Sequence, residues 1–282
     1  MYDMFMSVVD FARLHDRAFV LSPVHYMALN RWTLLKNRRR TRHGRHPLRR
    51  RGWLARSADH LLPNSQEEAV QIRHLFGIAA DKVTVVPNGV DAKFRQGDPN
   101  LFREKFGIQG PFVLNVARIE DRKNQPRLLE AIGPLGYPLV VMGAIADDGV
   151  YQACKRLAKD STRFLPPLDH DDPLLASAFA ACKVFALPSL LETPGIAALE
   201  AGLAGAKVVT TPIGGGREYF GDFARYVDPL SVSSIREAIA QAWADDSPSE
   251  PLQTRLVTEF SWEQIARRTL AVYESVLRSR AS

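Results

Sequence analysis

From residue 112 onward the chain alternates short, largely apolar runs with longer segments of helical character, and this alternation restricts the fold more than any other feature. The runs lie at 112–116, 139–142, 163–165, 184–187 and 207–210, with helices predicted at 124–132, 150–159, 174–181, 195–203 and 232–243 between and after them. Strands that are apolar along their whole length are buried on both faces, which calls for a parallel sheet covered by helices on each side. The predicted fold is therefore α/β, a doubly wound parallel sheet. Such sheets bind ligands outside the carboxyl ends of their strands, so the loops that follow the runs are where functional residues are expected.

The earlier part of the chain repeats the pattern in weaker form. A helix is predicted at 4–15, a short strand at 18–21 and a strand at 58–63. Asn64-Ser65 then caps a helix running to about His74, with Gly77 just past its end. A four-residue β-branched run at 83–86 closes on the turn Pro87-Asn88-Gly89. A chain of 282 residues has room for two domains, each with a buried core.

Charge is unevenly placed. Eleven Lys or Arg and no acidic residue fall between Arg31 and Arg56. Without them the 37 basic residues become 26 against 31 acidic ones, so the net charge of +6 comes from one local patch. With only Trp32 and Trp53 flanking it, the patch lacks the interleaved aromatics and the motif of a nucleic-acid site, and no nucleic-acid partner is expected. A solvated loop and a surface for anionic lipid headgroups both remain open. His43 and His46, inside the patch, have no partner ligands and read as solvated. Cys154 and Cys182 fit neither a disulfide nor a metal framework, which favours a reducing cytoplasm. Asp3, Asp10 and Asp16 interrupt any secretory signal, and Glu192, Pro194 and Glu200 interrupt the apolar stretch 184–206, making it a buried helix rather than a membrane span.

The most informative stretch is 187–201, Leu-Pro-Ser-Leu-Leu-Glu-Thr-Pro-Gly-Ile-Ala-Ala-Leu-Glu-Ala. Thr193 and Pro194 are the expected N-cap and first-turn pair of a helix, and Gly195 would let something approach the backbone closely. Free amides at this helix start make an anion site. Glu200 sits among Ala and Leu on an otherwise apolar helix; a carboxylate buried there needs a partner. Read alone, Glu192 and Glu200 would be a dipole-complementing loop residue and a surface residue.

Pro188-Ser189, Glu192, Gly195, Glu200-Ala201 and Gly205 together resemble the Glu-x7-Glu signature of retaining GT-B glycosyltransferases of the group 1, family 4 type. A second segment, Asn115-Val116-Ala117-Arg118-Ile119-Glu120-Asp121-Arg122-Lys123-Asn124, resembles the family's strand-loop-helix with its Arg and Lys five residues apart. The resemblance implies that Glu200 grips the donor ribose and Glu192 contacts hydroxyls of the donor sugar. It further implies that the backbone of Gly195, Ile196 and Ala197 meets the diphosphate, and that Arg118 and Lys123 hold that diphosphate as it leaves. Phe164-Leu165-Pro166, with Leu165 at its centre, matches the segment whose backbone contacts the base. His25 falls where the family often places a histidine near donor sugar and acceptor. Pro87-Asn88-Gly89-Val90-Asp91 looks like the interdomain junction, Gly214-Gly215-Gly216-Arg217-Glu218 like the family's glycine loop, and Phe260-Ser261-Trp262 like the start of its terminal helix. Without Gly-Lys-Ser/Thr, the glycine loop is no Walker loop.

The expected organisation is a GT-B type α/β protein: a partial N-terminal, acceptor-side Rossmann-like domain over 1–90, a complete nucleotide-sugar-binding Rossmann-like domain over 91–260, and a helix over 261–282 returning to the first domain. Members of the family carry a first domain about twice as long, so the early strands and a glycine-rich loop are expected to be missing. The implied activity is retaining transfer of a hexose from a nucleotide-diphosphate sugar to a polysaccharide, lipopolysaccharide or lipid-linked acceptor, without cofactor or metal. The expected location is cytoplasmic, peripheral to the inner face of the membrane through 31–56. The alternative is a catalytically incomplete nucleotide-sugar-binding remnant or subunit.

Overall fold

A computed structural model of the chain describes residues 2–24 and 47–281. His25, His43, His46 and the part of the basic patch before Pro47 lie outside the described residues. The chain divides into two units, Met1–Asn88 with Glu263–Ser282, and Gly89–Trp262.

In the first unit β1 (Val20–Leu21) pairs in parallel with β2 (His60–Leu61). The β-branched run at 83–86 makes only a bridge: Thr84 N–H donates to Leu61 O at 3.0 Å and Val86 N–H to Pro63 O at 2.9 Å. The helix Gln66–Phe76 is specified at both ends. Ser65 Oγ accepts from Glu68 N–H, the Glu68 carboxylate accepts from Asn64 N–H, and Gly77 ends the helix at φ 67°. Leu61, Ile72, Leu75 and Phe76 pack with Leu48 and Ala55 of the helix Pro47–Ser57, so the carboxyl end of the basic patch is helical. The terminal helix Trp262–Ala281 places Ile265 and Val272 against Val20, Leu62 and Val86, and Arg280 pairs with Asp59 at 3.2 Å and with Asp16.

The second unit holds a six-stranded, all-parallel sheet built from β3 (Val113–Val116), β4 (Leu139–Met142), β5 (Thr162–Leu165), β6 (Val184–Leu187), β7 (Lys207–Thr210) and β8 (Ala224–Tyr226). Its order is β5-β4-β3-β6-β7-β8. The reason the runs are largely apolar is visible in the two cores. Leu114, Val140, Phe185 and Val208 face one side, against Phe179, Leu199, Leu203 and Phe260; Val113, Val141, Ala186 and Val209 face the other, against Leu128, Ile132, Ile235 and Ile239. Three elements carry no such signal and were not predicted. Strand β8 is three residues long with the exposed Arg225 at its centre. The helix Pro99–Phe106 buries only Phe102, and the helix Glu250–Phe260 buries only the narrow stripe Leu252, Leu256 and Phe260.

Candidate functional site

Strands β3, β4 and β5 run outward in one direction and β6, β7 and β8 in the other, so the chain reverses its winding between the neighbours β3 and β6. At such a switch point the loops leaving two adjacent strands part and open a crevice. The loop after β3 carries Arg118 and Lys123; the loop after β6 carries Glu192 and Gly195.

These two loops are tied together. Lys123 Nζ lies 2.5 Å from Glu192 Oε1, with both side chains largely buried, and Arg122 Nη1 approaches the same oxygen at 3.9 Å. Asn124, at φ 62°, donates through Nδ2 to Pro188 O at 2.9 Å and to Pro229 O at 2.7 Å, while Leu190 N–H donates to Arg122 O. Arg118 does not join the pair: its side chain is 63% exposed and rests on Glu120 at 3.1 Å, and its carbonyl accepts from Gln125 Nε2.

Glu192 is placed from beneath by the glycine loop. Its N–H donates to Ile213 O at 3.1 Å and its carbonyl accepts from Gly215 N–H at 3.2 Å. Gly214 sits at φ 105°, where a Cβ would fall 1.8 Å from Glu192 O. The glycines are needed here for packing of chain against chain.

The helix after this loop begins later than the sequence suggests. Thr193 and Pro194 are neither N-cap nor first turn; Gly195 is the N-cap of the helix Ile196–Leu203. Its backbone is left-handed (φ 71°), a conformation that favours glycine, and among the atoms of the chain a Cβ there would meet nothing nearer than 3.6 Å. Gly195 O accepts from Ala198 and Leu199 N–H; Ile196 is exposed and Ala197 half-buried at this helix start. Leu165 ends β5 half-buried, its carbonyl accepting from Gly143 N–H.

Glu200 is 5% exposed and has the partner that its burial demands: Oε1 lies 3.0 Å from His170 Nε2. His170 Nδ1 is in turn 3.1 Å from Lys93 Nζ, and Lys93 is 2.6 Å from Asp171. Burial pushes the Glu200 carboxyl up to about 7, against the downward pull of the His170 hydrogen bond and the His170 and Lys93 charges. The hydrogen bond and charge of Asp171 raise Lys93, and Lys93 in return holds Asp171 below the usual carboxylate range. Sequence reasoning missed His170 and Lys93. The signal available was a lone histidine among aspartates, Asp169-His170-Asp171-Asp172, in the loop leaving a strand at its carboxyl end. Among the described residues no three His, Cys, Asp or Glu are grouped to hold a metal ion, and no helix is long and apolar enough to cross a membrane. Cys154 and Cys182 are free and buried.

The sheet order, with charged loops gathered at its switch point, defines a ligand-binding doubly wound α/β protein. The chain belongs to the glycosyl transferases group 1 family of GT-B glycosyltransferases, which it matches over residues 99–259, while residues 3–94 match glycosyltransferase family 4. It is 31% identical over 250 residues to a D-inositol 3-phosphate glycosyltransferase of Kribbella flavida, covering 80% of this chain and 58% of that protein. It is also 31% identical over 240 residues to a glycogen synthase of Mycobacterium tuberculosis, covering 80% of this chain and 56% of that protein. The chain thus spans just over half the length of these curated relatives. Among solved structures, the Anabaena HepE protein in complex with UDP and glucose aligns with TM-score 0.79 at 18% identity, over 98% of this chain and 76% of that one. Sucrose-phosphate synthase from Thermosynechococcus elongatus aligns with TM-score 0.71 at 23% identity, over 82% of this chain and 61% of that one.

Proposed function

We propose that this chain transfers a hexose from a nucleotide-diphosphate sugar, bound at the carboxyl ends of β3, β5 and β6, to a glycan or lipid-linked acceptor with retention at the anomeric carbon. The observation that carries this reading is the Lys123–Glu192 pair at the switch point, with a second buried glutamate, Glu200, on the helix that follows. In this reading Glu192 contacts hydroxyls of the donor sugar and Glu200 the ribose. The amides of Gly195, Ile196 and Ala197 meet the diphosphate, and Leu165 lies by the base. Arg118, the most exposed cation of the loop, turns from Glu120 to the diphosphate and acts with Lys123 on the charge that develops as it departs. The acceptor oxygen bonds to the anomeric carbon as the bond to phosphate breaks, and the acceptor proton passes to the departing phosphate. No metal or cofactor takes part. His25 is assigned to the sugar and acceptor. The basic patch at 31–56 is assigned to an anionic membrane surface on the cytoplasmic side, supported by the helix Pro47–Ser57 that carries Arg49, Arg50 and Arg51.

A thermal-shift series with UDP-, GDP- and ADP-sugars tests the donor assignment. One of them raises the melting temperature of the chain, and Glu200→Ala abolishes the rise; no shift with any of the three refutes it. The second reading is a nucleotide-sugar-binding remnant or subunit without turnover of its own, which binding with no transfer distinguishes.

A further inference from the structure

Three separate segments converge on Glu200: the turn carrying Asp91 and Lys93, the loop after β5 with His170 and Asp171, and the helix Ile196–Leu203 itself. The direction of their hydrogen bonds follows from chemistry. Lys93 Nζ has only hydrogens to offer, so its 3.1 Å contact with His170 Nδ1 is a hydrogen bond only when Nδ1 is the bare nitrogen. Nε2 then carries the hydrogen, and that hydrogen goes to Glu200 Oε1 at 3.0 Å. Asp171 at 2.6 Å and Asp91 at 3.8 Å hold the lysine in its charged form. The imidazole is steadied edge-on against Phe94, with ring centroids 5.3 Å apart. The chain of bonds therefore runs one way, from ammonium to imidazole to carboxylate, and occupies one oxygen of Glu200.

We propose that Lys93 and His170 form a positioning relay that fixes Glu200 as a hydrogen-bond acceptor for the ribose hydroxyls of the donor, with Oε2 as the accepting oxygen. His170 is a positioning residue here, acting on the nucleotide through Glu200. Buried among Ala198, Leu199 and Ala201, a lone carboxylate would take up a proton and turn from acceptor to donor; the relay opposes that change. The inference rests on the assignment of Glu200 to the ribose.

The test separates the two. UDP, GDP and ADP are titrated calorimetrically against the full chain, and the tightest is compared with its 2′,3′-dideoxy form. For His170→Ala the relay predicts about a tenfold loss for the ribonucleotide, the scale of one charge-assisted hydrogen bond, and no loss for the dideoxy form. His170→Gln, whose amide can still donate to Glu200, recovers part of it. Equal losses on both nucleotides show a merely structural histidine and overturn the relay. No loss for His170→Ala, while Glu200→Ala still discriminates ribo from dideoxy, overturns the relay and leaves the ribose assignment standing. If Glu200→Ala does not discriminate, or no nucleotide binds, the donor reading itself fails and the relay with it. Removing His170 takes from the buried Glu200 its hydrogen-bond partner, so the variant is expected to melt below the parent, and the titrations are run at a temperature where the same calorimeter shows it folded.

Discussion

Lys123 Nζ sits 2.5 Å from Glu192 Oε1, and through this contact the loop leaving β3 and the loop leaving β6 become one structure across the switch point. The lysine is 14% and the glutamate 6% exposed, so neither charge is compensated by water. Removing the cation leaves a buried carboxylate with only Arg122 at 3.9 Å. Lys123→Ala is expected to cost about 2 kcal/mol in urea unfolding, and Lys123→Ala with Glu192→Gln to recover most of that. Strictly additive losses would show that the pair is not coupled.

Gly214 and Gly110 both have positive φ, at 105° and 70°, but differ in surroundings. A Cβ at 214 would meet Glu192 O at 1.8 Å, whereas one at 110 would meet nothing within 4 Å. Gly110→Ala is expected to cost about 1 kcal/mol, the backbone term alone. Gly214→Ala should cost clearly more, and it should also displace Glu192 and reduce any sugar transfer. Similar melting temperatures for the two variants would contradict the placement of Glu192 by the glycine loop.

Glu200 gives the fold a pH dependence of predictable sign. Its carboxyl is raised to about 7 by burial from an ordinary value of 4.5, so the folded state holds a proton that the unfolded state releases. The stabilisation is fully present below pH 4.5 and is lost as pH rises through about 7. Glu200→Gln keeps the acceptor for His170 Nε2 and removes the titration. It should melt about 5 °C above the parent at pH 8 and close to it at pH 4.5. An equal difference at both pH values would place the effect elsewhere.

Asn124 performs two tasks that substitution can separate. Its left-handed backbone (φ 62°) turns the chain into the helix Gln125–Ile132, and its side chain ties Pro188 O and Pro229 O together. Asn124→Gly preserves the turn and loses the ties, at an expected cost of about 2 kcal/mol. Asn124→Ala adds backbone strain and should be worse by about 1 kcal/mol, read from denaturant midpoints. The reverse order would show that the left-handed backbone at 124 imposes no strain on a residue with a side chain.

The strands of the second unit were legible because most residues of a run lie in one of two cores. Bounds at 139–142, 184–187 and 207–210 match β4, β6 and β7. The helix Gln66–Phe76 was legible because its caps are chemical: a serine hydroxyl before it and a left-handed glycine after it. The helices Pro99–Phe106 and Glu250–Phe260, which bury one and three residues, were not read. The start of the helix Ile196–Leu203 was placed too early because Thr193-Pro194 has the composition of a cap while the backbone becomes helical only after Gly195.

By itself the sequence determined that this is a doubly wound α/β protein and that Glu200 needs a partner, because apolar patterning and the cost of burying charge are local in their consequences. Which partners Glu192 and Glu200 have was decided by the tertiary structure. Lys123 meets Glu192 because β3 and β6 are neighbours although Lys123 and Glu192 are 69 positions apart in the chain, and His170 with Lys93 meets Glu200 because the sheet brings three distant segments to one end. Strand order is set by packing of the whole sheet, and no spacing along the chain encodes it.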